Sequence, residues 1–272
     1  MKILCAGLRD YQSGKTTLTI ALLRLFKELD QKVCGFKPKS GNNLWYHWTQ
    51  IKNALKEGCL YGKDAKFIHD EMSDQTPINL INPIHRLWMP TLNEMSFGGL
   101  PHFILDRITI NNRQIVALNS YADCPVDHAY FEPLLFRSEQ IKISNRADLQ
   151  NLTKLYEEAD RTAERLLSKK YDILICESYA DTGLPWNGIS ELDYVFTIEP
   201  FHLSLYEGER YLQASEVVST LCIEQKTEEI IEPLKPLKEI KIPPFADNVV
   251  NNYIILIKNE FGGIFDNLSF DK

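Results

Sequence analysis

The sequence predicts an α/β fold with a mostly parallel central sheet flanked by helices. Three observations carry that prediction. A strand, a polar loop, an amphipathic helix and a second strand follow one another within the first 37 residues, and such a βαβ unit sets its strands parallel. The candidate strands are short apolar runs without alternation, as expected of strands buried on both faces. The chain has 272 residues, 44% hydrophobic and 25% charged, which excludes a disordered chain and suffices for a buried core without staples.

Taken in order, Lys2 to Ala6 reads as the first strand and Gly7 to Gly14 as a polar loop. From Lys15, apolar residues at helical spacing (Leu18, Ala21, Leu22, Leu25, Phe26, Leu29) predict a helix, and Val33 to Phe36 a second strand. Residues 44–72 read as two helical pieces broken near Gly58–Gly62, and residues 78–102, rich in Pro and Asn, as loop with short extended pieces. Phe103–Ile110 and Arg113–Asn119 flank Asn111-Asn112 and predict a β-hairpin at the sheet edge or over the site. The stretch 78–147 is therefore expected to be an irregular, hairpin-bearing insertion in one domain spanning 1–272. Leu149, Leu152, Leu155, Ala159, Ala163, Leu166 and Leu167 predict a long amphipathic helix capped by Asp148. Tyr171–Cys176, Tyr194–Ile198 and Glu239–Ile242 read as strands, and residues 206–222 and 249–261 as helices.

A net charge of −7 argues against a general affinity for nucleic acid. The six cysteines form no CxxC pair, so buried, reduced thiols in a cytoplasmic protein are expected rather than a zinc site or a disulfide framework. No run approaches the roughly 20 apolar residues of a membrane helix. The N-terminal apolar run ends at Arg9-Asp10, too short for a signal peptide.

The loop between the first strand and its helix ends in Ser13-Gly14-Lys15-Thr16-Thr17. In such a loop, backbone N–H groups bind phosphate oxygens, the lysine reaches the outer phosphates and the threonine hydroxyl ligates Mg²⁺. The usual string is GxxxxGK[ST]; here Arg9 stands at the first glycine position and Gly7 is the nearest upstream glycine. The context, a buried strand before and a helix starting at the lysine, favours a P-loop NTPase over a chance Gly-Lys-Thr. Gln12, Ser13, Gly14, Lys15, Thr16 and Thr17 are the expected nucleotide-binding residues.

With Phe36-Lys37-Pro38-Lys39-Ser40-Gly41 downstream, this loop resembles that of dethiobiotin synthetase and its relatives, the cobyrinate amidase-like P-loop ATPases. The chain also looks like a group of archaeal proteins described as P-loop ATPases or GTPases. The resemblance matches Asp10 to the loop Asp, Lys37 and Ser40 to the second segment, Lys63-Asp64-Ala65 to a segment supplying an Mg²⁺ carboxylate, and Glu177 to the metal-serving Glu that ends a later strand. It implies catalytic roles for Lys15, Lys37, Ser40 and Asp10, a metal set of Thr16, Asp64 and Glu177, and a homodimer. Pro200-Phe201 and Ile242-Pro243-Pro244-Phe245 are the matching guess for the base pocket. The synthetases follow that Glu with Gly-Ala-Gly-Gly where this chain has Ser178-Tyr179-Ala180-Asp181, which speaks against dethiobiotin formation itself. Asp10 stands where the partner-activated members carry a signature lysine.

Several residues have ordinary readings beside these. Asp64 reads equally as a helix cap and Glu177 as an ion-pair partner, while Asp10 and Arg9 suit a loop salt bridge. Trp45, Tyr46 and Trp48 suit core better than a substrate wall. Asp123-Cys124-Pro125-Val126-Asp127-His128 is a polar cluster that suits a solvated loop better than a general base. The expected function is an ATP- and Mg²⁺-dependent, ligase-like enzyme that activates a small carboxylate or carbamate by phosphoryl transfer. The alternative is a partner-regulating P-loop ATPase or GTPase without a small-molecule substrate. No Asn-Lys-x-Asp guanine reader is present, which favours ATP.

Overall fold

The computed structural model describes residues 1–72, 74–90, 97, 99–219 and 225–265. The chain divides into two compact units, residues 1–35 with 168–272 and residues 36–167. The second therefore begins well before the insertion expected at 78–147.

In chain order, the elements begin with β1 (Lys2–Gly7), α1 (Lys15–Glu28) and β2 (Val33–Phe36). The second unit runs through β3 (Lys39–Asn43), α2 (Trp48–Lys56), α3 (Lys63–Asp70), α4 (Ile78–Ile81), β4 (Ile84–Trp88), β5 (Phe103–Ile110), β6 (Arg113–Asn119), α5 (Glu132–Phe136), β7 (Glu139–Ile143) and most of α6 (Arg146–Lys170). The chain then continues with β8 (Ile173–Glu177), β9 (Tyr194–Glu199), β10 (His202–Glu207), α7 (Gly208–Ser219), α8 (Thr227–Ile231), β11 (Lys238–Lys241) and α9 (Val249–Phe265).

The first unit is built on a six-stranded sheet of order β11-β10-β9-β1-β8-β2. β1 is parallel to both β8 and β9, as its uninterrupted apolar run predicts. The expectation of a mostly parallel sheet is corrected at the other edge. β9 reverses through Phe201, at φ 71, into β10, and β10 is antiparallel to both β9 and β11. The helix expected from residue 206 therefore starts at Gly208. A Cβ at Gly208 would lie 2.0 Å from the Leu192 carbonyl oxygen, so only glycine fits there. Phe26 of α1, Phe196 of β9 and Phe261 and Phe265 of α9 pack edge-on in this unit's core.

The second unit has its own five-stranded mixed sheet, β3-β4-β5-β6-β7. The expected hairpin is present: β5 and β6 pair antiparallel around Asn111, at φ 54. It is the middle of this sheet rather than an excursion at an edge. Both faces are covered. Leu152 and Ala159 of α6 pack on Ile84, Ile108 and Ile115, and Ile51, Leu55 and Leu134 pack on Leu87, Leu105 and Val116. The start of α6 is fixed by a reciprocal pair. Asn145 Oδ1 accepts from Asp148 N–H at 3.0 Å, and Asp148 Oδ2 accepts from Ser144 N–H at 2.8 Å. Asn145 is thus the cap expected of Asp148. Trp45 and Tyr46, expected in a core, are 79% and 76% exposed; Asn43 Oδ1 accepts from both of their N–H groups and holds them on a turn. Trp48 alone of the three packs inward, edge-on to Tyr130.

Among the described residues no helix is long and apolar enough to cross a membrane. The described cysteines are free thiols: Cys5, Cys34 and Cys176 are buried, and Cys59 and Cys124 are partly so. Cys222 lies outside the described residues.

Candidate functional site

β1 lies between β8 and β9, and the chain leaves β1 for α1 and the far edge strand β2 while β8 crosses over to β9 on the opposite side. The carboxyl end of β1 is therefore a point where connections diverge, the usual place for a site in an α/β sheet. The loop from Leu8 to Gly14 opens there. Gln12 (φ 54) and Gly14 (φ 99) both take left-handed conformations, and Gly14 caps α1 without a side chain. The arrangement points the first turn of α1, whose N–H groups have no partner within the helix, at the loop.

Lys15 opens α1 and is 8% exposed. Its Nζ donates to Ser13 Oγ at 3.0 Å and to the Ala180 carbonyl at 2.6 Å. The ammonium lies over the end of β1, where a Cβ on Gly7 would stand 2.5 Å from Nζ and 2.6 Å from Ser13 Oγ. Gly7 thus leaves room for the lysine and for Ser13. Ala180, at φ 46, turns its carbonyl toward the lysine. The Ser178–Asp181 segment, which lacks the glycines of the resembled synthetases, so reaches a glycine-like conformation with an alanine, at a cost of order 1 kcal/mol.

Thr16 Oγ1 donates to Glu177 Oε1 at 3.0 Å. Glu177 ends β8 beside Cys5 of β1 and is fully buried. A hydroxyl and a carboxylate held together are hard oxygen donors of the kind Mg²⁺ takes while keeping waters and phosphate oxygens. Among the described residues no group of three or more His, Cys, Asp and Glu side chains is placed to hold a metal ion. Thr17 follows on α1, half-buried, and Gln12 is exposed.

Asp10 is exposed on the loop, and Lys226 Nζ lies 2.8 Å from Asp181 Oδ2. Burial raises the Asp181 carboxyl, but the Lys226 ammonium outweighs it and holds the group below the ordinary carboxylate range. Arg9 makes the expected loop ion pair, 3.5 Å from Glu199. Gly14 rests on Ile198 and Tyr253: a Cβ there would lie 3.0 Å from the Ile198 Cδ1 and 3.5 Å from the Tyr253 hydroxyl. Tyr253 in turn packs edge-on to Phe245, with ring centroids 5.9 Å apart. Of the guessed base-pocket residues, Phe245 is linked through Tyr253 to the loop, whereas Phe201 is 64% exposed on its turn.

The first unit therefore brings Ser13, Gly14, Lys15, Thr16 and Glu177 together. Lys37, Ser40 and Asp64 belong to the second unit. Lys37 is buried, its N–H donating to the Ile81 carbonyl at 2.9 Å. Asp64 is half-buried in the first turn of α3, where Gly62, not Asp64, is the cap. Ser40 stands on β3 in register with His85, which is in register with Arg107. Asn82 Nδ2 donates to the Lys37 and Ile84 carbonyls, which leaves Asn82 Oδ1 to accept from the Ser40 hydroxyl at 2.9 Å. The hydroxyl's proton being so used, His85 Nδ1 carries hydrogen and donates to Ser40 Oγ at 2.6 Å. Burial, with the nearby Arg107 charge, holds His85 neutral, its pKa well below the usual value. The sequence pattern gave no sign of His85, Asn82 or Arg107, since an isolated polar residue in a short strand has no motif.

Comparison with protein-family models finds no match, and comparison with curated proteins finds no significant one.

Proposed function

We propose that the chain is an ATP- and Mg²⁺-dependent enzyme of the phosphate-loop class that activates a small carboxylate or carbamate by phosphoryl transfer. The observation that carries this reading is the pairing of two contacts at the carboxyl end of β1. The Lys15 ammonium is buried against Gly7 and held by Ser13 Oγ and the Ala180 carbonyl, and Thr16 is joined to Glu177. A buried lysine at a helix start supplies fixed positive charge with little solvent to reorganise, and such charge is most effective where negative charge develops on a phosphoryl group. Thr16 and Glu177 would hold the magnesium ion. Bound MgATP would supply the transferable phosphoryl group and its neutralising cation. The N–H groups of residues 13–17 would bind phosphate oxygens, and Ile198, Tyr253 and Phe245 offer apolar surface beside Gly14 for a base. Lys37 and Ser40 remain proposed for the second substrate on the strength of the resemblance, and Asp64 for the metal; a homodimer is proposed on the same ground.

Phosphate release measured with MgATP alone and with a panel of small carboxylates tests this. Low release alone and a marked rise with one carboxylate is the expected result. Release that no carboxylate changes, but that a protein partner raises, would move the chain to the regulatory ATPase reading.

A further inference from the structure

The second unit contains a cavity of about 300 Å³ between the end of its sheet and the segment that follows the hairpin. Its floor is apolar, with Leu105, Leu118 and Phe131 among its walls. Its polar rim comes from the segment read from sequence as a solvated loop, and from β7: Cys124, His128 and Lys142. Among the described residues no carboxylate lines it.

The rim groups differ in what they have left to offer. Asn119, also on the wall, is used up, donating to the Pro101 and Phe103 carbonyls and accepting from Tyr121 N–H. Ser120 Oγ is paired with Ser144 Oγ at 2.7 Å. Burial pushes the Cys124 thiol up, against a hydrogen bond from Val126 N–H, so it remains a neutral wall group and not a nucleophile. Among the described residues the side chains of Lys142 and His128 have no hydrogen-bond or ion-pair partner. The cavity thus joins an apolar interior to a mouth bearing donors and a positive charge. Its volume sits at the small end of ligand pockets, which suits a small molecule.

We infer that this cavity binds a small monocarboxylate with an apolar body, the carboxylate at Lys142 and His128 and the chain against Leu105, Leu118 and Phe131. The site is independent of the loop at Lys15 and stands whether or not that loop binds a nucleotide.

The test is calorimetric titration of the full chain with hexanoate and with hexylamine, which share an apolar body and differ in head charge. Hexanoate is expected to bind saturably and hexylamine about tenfold more weakly or not at all. Lys142→Glu, at an exposed position, is expected to keep the melting temperature, to lose about tenfold in hexanoate affinity and to invert the preference toward hexylamine. Absence of saturable hexanoate binding, equal binding of the two probes, or an unchanged preference in Lys142→Glu would each overturn the inference.

Discussion

Each unit buries a cation, and the two are handled differently. Lys15 lies at the carboxyl end of β1, a strand with parallel neighbours, among residues in left-handed backbone: Gln12, Gly14 and Ala180. Arg107 lies within a strand in the middle of a sheet, fully buried, and donates to the carbonyls of Leu60, Asn82 and Pro83 and to Thr109 Oγ1. Its partners belong to chain segments on three sides, so it braces the unit from within. Burial of a charge is by itself no sign of a reactive site. A charge at a sheet's carboxyl edge, ringed by strained loop backbone, is such a sign; a charge saturated by backbone carbonyls inside a ladder is structural.

Removal of each cation should therefore have opposite consequences. Arg107→Met removes the buried donors of the Leu60 and Asn82 carbonyls, at about 1–3 kcal/mol each, while the Pro83 carbonyl keeps the Thr109 N–H. The substitution is expected to lower stability by roughly 4 kcal/mol or more in urea melts, the largest effect here. Lys15→Ala should leave the urea midpoint nearly unchanged and weaken ATP binding about a hundredfold, close to 2.7 kcal/mol. If Lys15→Ala unfolds the chain while Arg107→Met does not, the contrast is reversed. Glu177→Gln sharpens it further: the variant should bind ATP but lose about tenfold of the gain that Mg²⁺ gives wild type, read by titration with and without the metal.

A pH effect separates the units at lower amplitude. Asp160 on α6 is buried with Lys39 3.5 Å away, and burial outweighs that lysine to raise its carboxyl from 3.8 to about 7. A carboxyl raised on folding keeps its proton longer in the folded chain than in the unfolded one. Stability contributed by the protonated form is complete below pH 3.8 and is lost as pH rises to about 7. Asp160→Asn should flatten the fall in melting temperature across that window, and an identical fall in both proteins would show that Asp160 titrates normally. The smallest effect is expected of Gly7→Ala, whose Cβ meets the flexible end of Lys15 at 2.5 Å and Ser13 Oγ at 2.6 Å. Both are side-chain ends that can turn aside, so ATP affinity should drop only about threefold, with the fold intact.

The same contrast explains what could be read from sequence. β1, α1 and β2 were legible because continuous apolar runs and a helical period stand next to a glycine-lysine-threonine loop. The β5–β6 hairpin was legible from Asn111-Asn112, and α6 from its apolar stripe. β3, Lys-Ser-Gly-Asn-Asn, has no strand signature. It is held by pairing with β4 and by the hydrogen bonds of Asn82 and His85 to Ser40, contacts some 40 residues apart in the chain. β4 and β5 interrupt their apolar pattern with His85, Arg86, Asp106 and Arg107. Arg86 pairs bidentately with Asp106, which also accepts from the Tyr156 hydroxyl of α6. In β4 these polar residues look like loop until their partners are known, so the hairpin was visible in the sequence but the sheet around it was not. In the candidate site, the Lys15 loop and Glu177 were legible as motif and strand end. The Ala180 carbonyl and the Tyr253–Phe245 wall depend on segments far along the chain, and no spacing rule reaches them.

The most direct test of the phosphate-loop reading is titration of ATP into wild type and Lys15→Ala, each with and without Mg²⁺. Saturable binding that Mg²⁺ strengthens in wild type, and that is lost in a Lys15→Ala chain with an unchanged melt, is the predicted result. Absence of binding to wild type, or equal binding to both proteins, would contradict it.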